Sequence, residues 1–145
     1  MKIKASIVRK DPREKGPRKF LNFGHTIGHA LESFSLEQDM NPLLHGEAVV
    51  AGMVCALHLS VKRAGLKKQS AEAWGKQLLS KYKLRNFNKF DETRVLEIMR
   101  HDKKNKEGQY RFVLLKDIAR PVADVKCTAA LVREAFRFYR ELAEV

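Results

Sequence analysis

Residues 21–32 read LNFGHTIGHALE, and the fold turns on how this stretch is interpreted. His25 and His29 stand four apart, each directly after a glycine, Gly24 and Gly28. On a helix, residues i and i+4 share one face, about 6 Å apart along the axis, so the two imidazoles are expected to point the same way. Each glycine costs a helix roughly 1 kcal/mol against alanine, which suggests a backbone held close to another helix or to a ligand.

A second apolar run begins with LLHGEAVV, placing His45 at its start, followed by Gly46 and Glu47. Two helices joined by a short reversal would bring His45 back beside His25 and His29. Three converging imidazoles suit zinc, whose catalytic sites typically have three protein ligands and an open position. The competing reading is ordinary packing, since a histidine on an apolar face needs no metal. Gly46 is read with Gly24 and Gly28 as a position of close approach. Glu47 is a candidate partner for a metal-bound histidine, although an acid in a first turn also suits the helix dipole alone. His58, on a long helix, and His101, in a charged run, are read as surface residues.

Outward from this pair, the chain reads as a mainly helical domain with one small two-stranded β element. Helix is expected from Phe20 or Asn22 to about Phe34, with Asn22 as N-cap, and SLEQDMNP as the break. The next helix runs from about His45 to Ala64 with Gly65 as its C-cap. Val49, Val50, Met53, Val54, Leu57 and Val61 almost surround it, so it is expected to be central and buried. Further helices are expected over Ser70 to Lys81, after Asp91, and after a capping Thr128. Short strands are expected near Tyr110 to Leu115 and Val122 to Lys126. Residues 2–19 read as a short helix end or strand and then a turn-rich loop, DPREKGPR.

At 145 residues, 44% of them hydrophobic and 32% charged, the chain is the usual size of one domain with a real core. No run of 18 apolar residues suggests a membrane span, and no leader is expected. Cys55 lies in VVAGMVCALHL and reads as a buried free thiol, in keeping with a reducing, cytoplasmic setting. The net charge of +12 is compatible with a solvated surface, an anionic small molecule or nucleic acid. No zinc-finger spacing or aromatic RNA-binding motif accompanies it. HDKKNKEGQ, with Lys103 and Lys104, reads either as a solvated turn or as an anion clamp.

RKFLNFGHTIGHALE followed by LLHGEAVVAGM closely resembles 3-dehydroquinate synthase, as do KASIVRKDPREKGPR upstream and HDKKNKEGQYRFVLL downstream. The resemblance runs from about Lys2 to Leu115. It implies the helical C-terminal domain of a two-domain enzyme, with the NAD-binding Rossmann-like N-terminal domain absent and the active site in the cleft between them. By this match His25 and His45 are zinc (or cobalt) ligands, and a glutamate upstream of Lys4 supplies the third. His29 becomes a catalytic, substrate-contacting histidine. Lys4, Arg18, Asn22 and one of Lys103 and Lys104 become substrate-binding residues. The implied reaction is a phosphate-eliminating lyase step of the shikimate pathway to chorismate and the aromatic amino acids. It converts 3-deoxy-D-arabino-heptulosonate 7-phosphate to 3-dehydroquinate. NAD transiently oxidises a ring hydroxyl, phosphate leaves by β-elimination, and reduction, ring opening and an intramolecular aldol step follow. The resemblance further implies a homodimeric full-length enzyme, with no turnover by this domain alone. DIARPVADV departs from the Ile-Gly turn expected after the first strand. A metal-dependent polyol dehydrogenase and a non-catalytic basic nucleic-acid-binding module are the rival readings.

Overall fold

A computed structural model describes residue 20 and residues 22–38, 41–82, 89–102 and 109–144. In chain order these form α1 (His25–Gln38), α2 (His45–Arg63), α3 (Lys68–Lys81), α4 (Glu92–Arg100), β1 (Tyr110–Asp117), β2 (Arg120–Cys127) and α5 (Ala129–Ala143). The mainly helical class with one small sheet is as expected. Lys4, Arg18, Lys103 and Lys104, the upstream loop and most of HDKKNKEGQ lie outside the described residues.

The central helix is α2. Its Val54, Cys55 and Leu59 are fully buried, and Val50 and Leu57 nearly so. Against it pack Ile27 and Leu31 of α1 and Val132, Phe136 and Tyr139 of α5, and α4, lying mainly against α1, adds Val95 and Met99 to the same core. The α5 set repeats at intervals of four and three, one stripe of an amphipathic helix. Burying each such side chain contributes about 1.5–3 kcal/mol. Buried Ser60 links α2 to the sheet: its hydroxyl donates to the Ala56 carbonyl at 2.7 Å and accepts from the Leu115 N–H at 3.0 Å. The two strands pair antiparallel, from Tyr110 opposite Cys127 to Asp117 opposite Arg120. No helix among the described residues is long and apolar enough to cross a membrane.

Several boundaries differ from the sequence expectation. Asn22 does not stand at the N-cap position of α1. The helix begins at His25, and it is the carbonyl of Gly24, at φ +80°, that receives the first helical N–H, from Gly28 at 2.9 Å. The helix also continues four residues past Phe34. Buried Ser35 accepts the Leu43 N–H at 2.8 Å, and Glu37 takes a two-pronged bond from Arg94 of α4, at 2.6 and 3.0 Å. These tertiary partners hold a turn that local sequence alone does not favour. Gly65 stands one place beyond the Ala64 cap, at φ +87°, where the left-handed conformation suits glycine. The caps expected at Asp91 and Thr128 are present, accepting the Arg94 and Leu131 N–H groups.

Both cysteines are free and buried. Burial raises the Cys55 thiol far above its ordinary range and pushes Cys127 up to about 11, so neither is a thiolate at neutral pH. His58 is not a surface residue. Only 18% of its side chain is exposed; it packs on Phe138 of α5, ring centroids 5.2 Å apart, with Nε2 3.5 Å from Glu134. His101 is exposed as expected.

Candidate metal and substrate site

Three glycines set the distance between α1 and α2. A Cβ on Gly52 would lie 2.0 Å from the Gly24 carbonyl oxygen and 2.7 Å from the Gly28 nitrogen. One on Gly28 would lie 3.0 Å from the Ala48 oxygen, and one on Gly24 2.7 Å from the Met53 nitrogen. Gly28 therefore faces residues 48–49 while Gly24 faces residues 52–53, so the helices run antiparallel with backbones in contact. Gly46 does not share this role, because nothing lies within 4 Å of its would-be Cβ. It sits in open space at the head of α2, beside His45.

This crossing brings the expected histidines together. Ring centroids are 5.3 Å apart for His25 and His29, 6.0 Å for His25 and His45, and 5.6 Å for His29 and His45. One ligand atom from each lies within 4.8 Å of the other two. His25 is half-buried; His29 and His45 are exposed. The start of α1 is further held by Thr26, whose hydroxyl donates to the Arg111 carbonyl of β1 at 3.4 Å. Asn22 lies half-buried in the turn just before α1, three residues from His25.

The histidines differ in their second nitrogen. Nδ1 of His25 lies 3.3 Å from the Phe23 carbonyl oxygen, and Nδ1 of His45 lies 3.0 Å from Oε2 of Glu32. Carbonyls and carboxylates only accept, so in the neutral ring each Nδ1 would carry the hydrogen and each Nε2 the lone pair. His29 has no hydrogen bond to any described residue. Glu32 went unnoticed in the sequence. Its signal was the spacing 25, 29, 32, which puts it on the histidine face of α1. Glu47, considered for that role, instead receives the Leu44 N–H at 3.0 Å and closes the start of α2.

The donor set fits a divalent transition ion. Zinc–nitrogen bonds of about 2.0–2.1 Å in a tetrahedron place ligand atoms about 3.3 Å apart, within reach by rotation of exposed rings from the present spacing.

Fold and site together define a helical domain of the dehydroquinate synthase-like architecture that brings three imidazoles together. The 3-dehydroquinate synthase C-terminal family matches residues 1–105, and the chain belongs to that family. A 3-dehydroquinate synthase of Parabacteroides distasonis is 42% identical over 139 residues, covering 96% of this chain and 39% of its own length. One of Listeria monocytogenes is 44% identical over 128 residues, covering 84% and 33%. The chain thus spans less than half of these relatives. Among solved structures, 2-deoxy-scyllo-inosose synthase with carbaglucose-6-phosphate, NAD+ and Co2+ superposes with a TM-score of 0.77 at 24% identity, over 94% of this chain and 39% of that one. A 2-epi-5-epi-valiolone synthase of Streptomyces hygroscopicus with NAD+ and Zn2+ gives 0.70 at 21%, over 94% and 37%. At these identities the likeness concerns the fold.

Proposed function

We propose that this chain is the metal- and substrate-binding domain of a 3-dehydroquinate synthase, acting with an NAD-binding domain outside these residues. The observation that carries the reading is the convergence of His25, His29 and His45 on a glycine-packed helix pair, in a chain of that family. Family membership favours it over the polyol dehydrogenase and the nucleic-acid module. The two buried thiols suit a reducing cytoplasm.

His25 and His45 are the metal ligands, and a carboxylate from outside the chain completes the set. In support, they are the two histidines whose Nδ1 is engaged by an oxygen, the usual arrangement behind a metal-bound imidazole. When bound, the ion supplies Lewis acidity toward vicinal hydroxyls and a carbonyl. His29, left without such a partner, binds a polar group of the substrate and holds or passes a proton at its ring nitrogen. Asn22 hydrogen-bonds substrate from the turn before α1. Lys4, Arg18 and one of Lys103 and Lys104 neutralise the carboxylate and phosphate of 3-deoxy-D-arabino-heptulosonate 7-phosphate.

The test is phosphate release from that substrate by the enzyme carrying its NAD-binding domain. His25→Ala and His45→Ala should lose both bound zinc and turnover. His29→Ala should keep the zinc and lose about 100-fold or more in kcat. Zinc loss in His29→Ala with full retention in His25→Ala would reverse the assignment.

A further inference from the structure

We infer that Glu32 is a positioning residue for His45: its carboxylate holds the Nδ1 hydrogen and thereby presents Nε2 toward the metal centre. The inference rests on the reading of His45 as a ligand. Three observations carry it. First, the bond has ordinary hydrogen-bond length and joins two helices, with Oε2 of Glu32 on α1 3.0 Å from Nδ1 of the first residue of α2. Second, His45 needs orienting. More than half of its side chain is exposed, at 57%, and Glu32 is the side chain to which it hydrogen-bonds among the described residues. An exposed neutral imidazole exchanges its hydrogen between two nitrogens, and only the form with a bare Nε2 can ligate through that atom. Third, Glu32 makes no other hydrogen bond or ion pair to a described residue. A pair with one largely exposed partner contributes little to folding, so stability gives little reason for it.

His25 shows the same device in another form. Its Nδ1 faces the carbonyl of Phe23, a backbone group that mutation cannot remove. Glu32 is therefore the orienting group that can be deleted without touching a ligand. It also stands seven residues after His25 and three after His29, so one helical face carries a ligand, a substrate contact and the group that orients the second ligand.

Two measurements test this. Long-range nitrogen–proton NMR of the His45 ring in the metal-free chain reads the tautomer directly. The unsubstituted chain should hold the hydrogen on Nδ1. Glu32→Ala should give a mixture, and Glu32→Gln, whose amide oxygen still accepts, should restore the Nδ1–H form. Zinc affinity, from chelator competition on the enzyme with its NAD-binding domain, should fall about 10–100-fold in Glu32→Ala and recover in Glu32→Gln. An unchanged tautomer or an unchanged affinity in Glu32→Ala overturns the positioning role. His45→Ala separates the two ideas. If its zinc affinity matches the parent, the ligand reading itself is wrong; if it loses zinc while Glu32→Ala does not, the positioning role alone is wrong.

Discussion

A single missing methyl group at position 52 decides whether three imidazoles meet. Alanine there would put a carbon 2.0 Å from the Gly24 oxygen, and both obstructing groups are backbone, so neither can swing aside. The helices would have to separate by an ångström or more. Gly52→Ala should cost about 3 kcal/mol in chemical denaturation, at the upper end of overpacking penalties, and should weaken cobalt binding measured by visible absorption. Gly46→Ala is the contrasting case. With open space around its Cβ, alanine should leave metal binding intact and add up to about 1 kcal/mol through helix propensity. A loss of stability in Gly46→Ala comparable to that in Gly52→Ala would remove the distinction. The sequence showed Gly24 and Gly28 because they flank histidines, and on the same ground it grouped Gly46 with them, where no helix comes close. Gly52 was passed over inside an apolar run, although Ala48, Gly52 and Ala56 form a small-residue row at four-residue spacing. Glu32 was hidden for a different reason: an acid on a helix face is commonplace until a partner from another helix is seen.

At the scale of elements, helix existence was legible and helix ends were not. Apolar periodicity survives any tertiary context, whereas the last turn of α1 depends on Leu43 reaching Ser35 and Arg94 reaching Glu37, bonds that local sequence does not announce. The hairpin was legible in outline only. Its turn holds Ala119 at φ 57°, in the left-handed region, where the family resemblance led us to expect glycine. That conformation costs an L-residue about 1–2 kcal/mol, partly offset by glycine's greater unfolded entropy. Ala119→Gly should therefore raise stability by up to about 1 kcal/mol, read as a higher urea midpoint; a lower midpoint would mean the turn is not strained. The junction of α2 with α5 makes a pH-dependent prediction. Burial holds His58 below its ordinary value of 6.5, outweighing the hydrogen bond it makes to the Glu134 carboxylate, which favours the charged form. The unfolded chain then binds a proton at a higher pH than the folded chain does. The His58 contribution is full above about pH 6.5 and is lost as pH falls through that value toward the lower folded pKa. His58→Gln should flatten the decline in urea midpoint between about pH 7.5 and pH 5, relative to the parent. An unchanged slope would show that His58 takes its proton equally in both states.

For the whole molecule, the chain spans 39% of the Parabacteroides relative and 33% of the Listeria one. On the proposed reading, His25 and His45 supply two of the three protein ligands that catalytic zinc usually has. His29 and His45 face solvent, and their surroundings gain the low dielectric that strengthens charge interactions only when another surface closes over them. Three consequences can be measured together. If the proposed third ligand comes from outside these residues, zinc should bind the 145-residue chain weakly, about 10-fold or more weaker than it binds the enzyme with its NAD-binding domain. The chain alone, given NAD, zinc and 3-deoxy-D-arabino-heptulosonate 7-phosphate, should release no phosphate above background. His29→Ala should barely alter zinc affinity in the enzyme with its NAD-binding domain, yet should weaken it further in the chain alone, where His29 is the nearest nitrogen able to stand in for the absent ligand. Equal effects of His29→Ala in both settings would mean that the third ligand is not what distinguishes them. Nanomolar, stoichiometric zinc in the isolated chain would show that three imidazoles suffice, and that His29 belongs to the metal rather than to the substrate.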